Sequence, residues 1–217
     1  MTSFLFYFIL IAGSYLIGSI PFGFLIGKCF GKDIRTLGSC NIGATNVTRC
    51  VGPTAGKVCF FLDAVKGFVP VFIANLLLHQ HPEWDPTNAA PLFALAATTL
   101  GHMFTCFLKF RGGKGVSTAA GGVLALAPIA LIAGLVVWAI VFLKWRYVSL
   151  ASIIAAAMTP FFATILQLVK VDPWNPVVLT ALYILALAAI LKHTSNVKRL
   201  LNGTENRFSK PARTKEK

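Results

Sequence analysis

Lys109, Arg111 and Lys114 alternate with Gly112, Gly113 and Gly115 in the stretch Lys109-Phe-Arg-Gly-Gly-Lys-Gly-Val-Ser-Thr118, set between two long apolar runs. Cations supply charge, and glycines without Cβ let backbone N–H groups close on an anion. Two hydroxyls, Ser117 and Thr118, follow as the chain re-enters an apolar run. A helix N-terminus there would add further N–H donors, so phosphate is the natural guest. A Walker A loop does not fit. No Gly stands five residues before Gly113, Gly115 occupies the Ser/Thr position, and no strand–helix alternation surrounds the stretch. A basic loop at a membrane surface explains the same cations, and the stretch alone does not decide between the two.

Two other segments could do chemistry. The run Gly38-Ser-Cys-Asn-Ile-Gly-Ala-Thr-Asn-Val-Thr-Arg-Cys-Val-Gly52 interleaves glycines with Ser39, Asn41, Thr45 and Asn46, and it presents Arg49. Such a loop offers many hydrogen bonds to an oxyanion or a polyol. The run Lys192-His-Thr-Ser-Asn-Val-Lys-Arg-Leu-Leu-Asn-Gly-Thr-Glu205 sets His193 and Asn196 at i, i+3. They share one face if the last helix extends past the membrane, with Lys198, Arg199 and Glu205 following. Gly101-His102 precedes the cationic loop. Each has an ordinary alternative: a helix-end His that packs, a plain polar loop, a topogenic Lys-Arg anchor. Taken together on one face, they point to a membrane enzyme acting on phosphorylated, partly apolar substrates.

The elements that position them are apolar. The chain has 217 residues, 56% hydrophobic and 12% charged, with mean hydropathy +0.74. Soluble domains carry about 25% charged residues, so the chain is expected to be an all-α polytopic membrane protein. Its net charge of +13 lies in loops beside apolar runs, which fits membrane topology and anionic substrates better than nucleic acid. The uncharged start before Lys28 reads as a first crossing over 4–27, with the N-terminus outside. A second crossing over 58–78 holds Asp63 and Lys66, which at i, i+3 can neutralise each other. No Lys or Arg occurs from 67 to 108, so residues 79–86, with His79 and His81, read as an external loop before a third crossing over 90–108. Residues 116–143 are long for one helix and are interrupted at Ala127-Pro128. Two short helices there put both Lys144-Trp-Arg146 and the tail inside. Crossings over 148–169 and 177–191, joined by an external turn at 170–176, bring the number to about seven, with the C-terminus cytosolic. Residues 1–205 then form a single integral-membrane catalytic domain, and 206–217, charged and Pro-containing, a disordered cytosolic tail. Cys29, Cys40, Cys50, Cys59 and Cys106 have no metal-ligand spacing and read as reduced thiols.

The three segments, in order, resemble the three motifs of the bacterial acyl-phosphate:glycerol-3-phosphate acyltransferase family. Its pattern runs Gly-Ser-x-Asn-Pro-Gly-Ala-Thr-Asn with a following Arg, then Gly-His and Gly-Gly-Lys-Gly-Val-Ala-Thr, then His-x-x-Asn-Ile with Arg-Leu and Glu. Asp63-Ala-Val-Lys-Gly67 is similar to a further family element, and the likeness spans about residues 10–205. Departures are Ile42 for Pro, which is expected to loosen the first loop, Thr105 for Pro, and Ser117 for Ala.

The resemblance implies transfer of a fatty acyl group from acyl phosphate to the 1-hydroxyl of sn-glycerol 3-phosphate, at the cytosolic face of a bacterial cytoplasmic membrane. The implied products are 1-acylglycerol 3-phosphate and phosphate. Membrane lipid and the soluble enzyme that makes acyl phosphate are the implied partners. An acyl phosphate is already activated, so neither a cofactor nor a metal is expected. None of the four histidines has Asp five residues on, against the His-x4-Asp class that uses acyl-CoA. Ser39, His193 and Asn196 are the expected catalytic group. Asn41 and Arg49, with Lys114 and the Gly112–Gly115 backbone, are expected to hold the two phosphates. Thr45, Asn46, Asp63, Lys66, His102, Arg111, Ser117, Thr118, Lys198, Arg199 and Glu205 support them. His193 is open to two roles, general base or hydrogen-bond donor that positions substrate, and the second is favoured because the donor's phosphoryl oxygens can take the proton. A small transporter that uses the same loops as an anion gate is the alternative from another class, motivated by Asp63, Lys66 and His102 within the membrane.

Overall fold

Pro21 divides the first apolar run. The computed structural model describes residues 2–171 and 176–208. Within them the expected first crossing is found as one membrane-length stretch, Ser3–Cys29, broken at Pro21 into two helices, α1 (Ser3–Ser19) and α2 (Phe22–Cys29), because proline lacks the N–H that continues the ladder. The break turns carbonyls outward to distant partners. Ser19 O accepts from Thr105 Oγ1 at 2.5 Å, and Ile20 O accepts from Lys66 Nζ at 2.6 Å. Thr105 thus ties the end of the third apolar run to the first.

After α3 (Ala44–Cys50) come α4 (Pro53–Gln80), α5 (Ala90–Met103), α6 (Val116–Leu126), α7 (Pro128–Trp145), α8 (Val148–Leu168), α9 (Pro176–Leu191) and α10 (Thr194–Leu201). Among the described residues, five helical stretches are long and apolar enough to cross a membrane, or six if the bent pair α9–α10 counts as one span. The expectation of two helices within 116–143 holds, with the turn at Ala127 and Pro128 opening α7. Its length does not match a full crossing. With 11 residues, α6 rises about 16 Å, against a hydrocarbon core of about 30 Å. The expected turn at 170–176 falls largely on 172–175, outside the described residues.

Helix α4 is the centre of the packing: it lies along α6, while α1 lies along α5 and α7 along α8. The α4–α6 contact is backbone on backbone. A Cβ on Gly67 would sit 1.9 Å from Thr118 O, and one on Gly121 would sit 1.9 Å from Ala64 O, the close approach that small residues give to helices in lipid. Val71, Leu92, Leu95, Val123, Leu131 and Leu182 fill the apolar core among these helices. Asp63 and Lys66 are buried within α4 and form the expected pair, Oδ1 to Nζ 2.8 Å. At the other end of the bundle Asp85 is buried and caps α5, its Oδ2 accepting from Ala90 N at 2.7 Å.

Two expectations about the C-terminal part need correction. The last helix does not run on through the third segment as one rod. It breaks by 54° and restarts as α10, with His193 at the cap position. The boundary expected at 205/206 also falls inside a packed strand of chain: Phe208 N–H donates to Arg146 O at 3.0 Å and Arg207 Nε to Trp145 O at 3.2 Å. Residues 209–217 of the expected tail lie outside the described residues.

Candidate active site

A cavity of about 650 Å³ opens where α3, the start of α6, the α7–α8 junction and the α9–α10 break meet. All three sequence segments reach it. Ser39, Asn41, Thr45, Asn46 and Arg49 line it from the first. His102, Lys114, Gly115 and Ser117 line it from the second, and His193, Asn196 and Glu205 from the third.

The first loop is built around Asn46, which is buried. Its Oδ1 accepts from Ser39 N at 2.8 Å, and its Nδ2 donates to Ile34 O at 2.9 Å and to Leu37 O at 3.1 Å. Asn46 is therefore a clasp that fixes Ser39. Asn41 Oδ1 accepts from Gly43 N at 2.8 Å, a local turn that leaves its amide N–H₂ as donors. At the position of the expected proline, the Ile42 side chain is buried with Ile34, Val47 and Cys59 in a small core of its own. Arg49 is half-buried on α3, where burial lowers its guanidinium pKa and the nearby Glu205 charge opposes that.

Glycine in the second loop serves packing before it serves an anion. Gly112 N donates to Met103 O at 3.2 Å and Gly113 N to His102 O at 3.0 Å, so neither amide is spare. A Cβ would meet His102 O at 2.0 Å from Gly112 and His102 Nε2 at 2.2 Å from Gly113. These two residues, expected to bind phosphate, instead let the loop fold onto the end of α5. Gly115 differs. It has φ +76° and caps α6, whose first residues, Val116 and Ser117, line the cavity and whose first amides have no intrahelical acceptors. Lys114 beside it has its ammonium pushed down to about 8, first by burial and partly against the Glu205 charge. A lysine next to a helix N-terminus is a ready anion site.

Glu205 ties the third segment together. Oε1 accepts from Asn196 Nδ2 at 2.8 Å and from Ser149 Oγ at 3.0 Å, while Oε2 accepts from Arg199 Nε at 2.7 Å. Burial alone would raise its pKa, but these hydrogen bonds hold it below the usual carboxylate range. Asn196 turns its Oδ1 to the Lys114 ammonium, so the chain Glu205–Asn196–Lys114 links the second and third segments. His193 Nδ1 lies 2.7 Å from Ala189 O. A carbonyl only accepts, so Nδ1 carries the proton and Nε2 is the acceptor of the neutral ring. Burial first, and then the Lys114 charge, push His193 down to about 4, which keeps it neutral at pH 7.

Several expected residues stand away from the cavity or serve it indirectly. Arg111 and Lys198 are exposed and do not line it. Thr118 is buried against Gly67 and belongs to the α4–α6 contact. Asp63 and Lys66 lie behind His102, whose Nδ1 is 3.6 Å from Asp63 Oδ1, and Arg199 reaches the site through Glu205. The structure adds residues that pattern did not flag. Ser149 stands in the first turn of α8 with only its place after the Lys144-Trp-Arg146 cluster as a signal. Trp138 and Phe142, stacked at 5.0 Å between centroids, form an apolar wall with Leu135.

An all-helical bundle with membrane-length apolar helices, and a largely apolar cavity into which Arg49, Lys114 and a helix N-terminus bring positive charge, describes an integral-membrane protein that handles lipid-like anions. The family model for glycerol-3-phosphate acyltransferase matches residues 8–203. Curated relatives named glycerol-3-phosphate acyltransferase include those of Geotalea daltonii, 43% identical over 93% of this chain and 97% of the relative, and Aquifex aeolicus, 44% identical over 92% and 97%. The crystal structure of PlsY (YgiH), an integral membrane glycerol 3-phosphate acyltransferase in its glycerol 3-phosphate form, superposes with TM-score 0.83 at 40% identity. It covers 94% of this chain and 96% of that one. The lysophosphatidic acid form gives TM-score 0.81 at 39% identity, covering 94% and 95%. This chain belongs to the glycerol-3-phosphate acyltransferase family of integral membrane proteins.

Proposed function

We propose that this cavity transfers a fatty acyl group from acyl phosphate to the 1-hydroxyl of sn-glycerol 3-phosphate, forming 1-acylglycerol 3-phosphate and inorganic phosphate, the first acylation of phospholipid synthesis. One observation carries this most: Arg49 and Lys114, on different loops, line a single cavity that also has an apolar wall. Both substrates bear phosphate, so two cationic anchors are needed. Gly115, Val116 and Ser117 amides assist Lys114, and Ser39 and Asn41 assist Arg49. The acyl chain lies along Leu135, Trp138 and Phe142, with Trp138 fixed by its Nε1 donating to Ser152 Oγ at 3.2 Å. The acceptor hydroxyl gives its hydrogen bond to His193 Nε2 and attacks the acyl carbon. As the carbon–oxygen bond to phosphate breaks, the hydroxyl proton swings from its hydrogen bond to His193 Nε2 onto an oxygen of the departing phosphate. Purified protein given both substrates should form lysophosphatidate and release one phosphate per product. Absence of both would overturn the assignment and leave anion transport as the rival.

The same reading includes seven crossings, with the N-terminus outside and the cavity facing the cytosol of a bacterial cell. α6 counts as a short crossing that runs outward from the cavity side and α7 as its return, and the contacts of Arg207 and Phe208 with Trp145 and Arg146 support a shared side for the tail and the 144–146 cluster. Single cysteines in a cysteine-free background, Trp145→Cys and Glu83→Cys, should label from opposite sides of the membrane. Labelling of position 145 from outside intact cells would contradict this topology.

A further inference from the structure

Phe208 lies beyond residues 8–203 that the family model matches, yet it lines the cavity. Its backbone is pinned, N–H to Arg146 O at 3.0 Å, and its ring meets Phe142 edge-on at 5.9 Å. Over the ring sits the Arg49 guanidinium, its carbon 5.3 Å from the centroid, and Arg49 Nη2 donates to Asn206 O at 3.4 Å. The segment 205–208 is therefore a strap that starts at Glu205, the hub of the third motif, and ends as a shelf under the arginine of the first.

We propose that Phe208 is a positioning residue for Arg49, holding its guanidinium plane toward the phosphate that Arg49 binds. The inference rests on the reading of Arg49 as a phosphate anchor. Arginine has four rotatable bonds and a planar fork, so a site that relies on bidentate phosphate contact gains from fixing that plane before binding. α3 cannot do this alone, because it is only seven residues long and no side-chain oxygen among the described residues accepts from the Arg49 guanidinium. A ring face supplies attraction without a charge that would compete with phosphate. Phe142 and the Arg146 carbonyl keep the ring from turning away.

The test is a set of kinetic measurements on the full-length protein, varying glycerol 3-phosphate and acyl phosphate in turn. Arg49→Ala identifies which of the two substrates the arginine holds by which KM rises. Phe208→Leu should raise that same KM by about five- to tenfold, between the values of an exposed and a fully desolvated cation–π contact, with kcat within about twofold. Phe208→Tyr, which keeps the ring face, should behave as wild type. In an Arg49→Ala background Phe208→Leu should change nothing further, because the group it positions is gone. If Phe208→Leu leaves KM unchanged in the wild-type background, or acts equally in the Arg49→Ala background, the positioning role is overturned while the phosphate anchor stands. If Arg49→Ala itself keeps wild-type kinetics, the underlying reading fails and this inference with it.

Discussion

Lys114→Ala is expected to lower catalytic efficiency at least about tenfold, and up to about a hundredfold, since a charge-assisted hydrogen bond to phosphate is worth about 1.5–3 kcal/mol. The loss should not come from collapse of the fold, because Lys114 is held by Asn196 and the α6 terminus rather than by the apolar core. The ammonium has a second signature. Its pKa is pushed down to about 8, and only the protonated form attracts an anion. Activity should therefore be intact below that value and be lost above it, with kcat/KM of the free enzyme falling about tenfold per pH unit beyond pH 8. Lys114→Arg, which does not titrate in this range, should abolish that alkaline limb whatever its absolute rate. Wild-type kinetics in a properly inserted Lys114→Ala variant would remove the anion assignment. A limb unchanged in Lys114→Arg would remove only the titration argument.

His193 carries the second large effect. The sequence left it as base or as donor, and the Nδ1–Ala189 bond favours a third description, an acceptor that orients the attacking hydroxyl through Nε2. With its pKa pushed down to about 4, the ring is a weak proton acceptor, and the oxygens of the departing phosphate can take the proton in its place. His193→Leu deletes the acceptor and should reduce turnover about a hundredfold. His193→Gln keeps an acceptor oxygen but no base, and should retain activity within about tenfold of wild type. Should the glutamine variant fall as far as the leucine variant while glycerol 3-phosphate still binds, the imidazole is the base. General base catalysis contributes about 10²–10⁴-fold, so the two results are well separated.

Much of the site was legible because its chemistry needs uncommon local composition. Cations among glycines at 109–115, hydroxyls and amides at 38–52, and His193 with Asn196 all stand out against apolar runs, and the first and third meet the second in one cavity. The Asp63–Lys66 pair was legible for a related reason, since charges at that depth must pair. What misled was the same glycine pattern taken one step further. Gly112 and Gly113 look like phosphate ligands, yet their amides are consumed by Met103 and His102 carbonyls, a fact set by how tightly the loop folds onto α5. Ser149, Trp138 and Phe142 carried no usable signal, because a serine or an aromatic residue in a membrane helix is ordinary composition. Helix breaks were half-legible. Pro128 marked one correctly, while Pro21 was passed over because apolarity continues on both sides of it. The tail misread at 206–208 has the same origin: charge and proline describe residues 209–217, and the three positions before them are drawn into the site by Arg146 and Arg49.

Everything proposed for the cavity turns on acyl phosphate as the acyl donor, and donor choice decides it. Purified protein with radiolabelled glycerol 3-phosphate would be supplied with palmitoyl phosphate or, separately, with palmitoyl-CoA. Lysophosphatidate is expected from the first, with phosphate released one for one, and no product from the second. Product from palmitoyl-CoA with none from palmitoyl phosphate would contradict it.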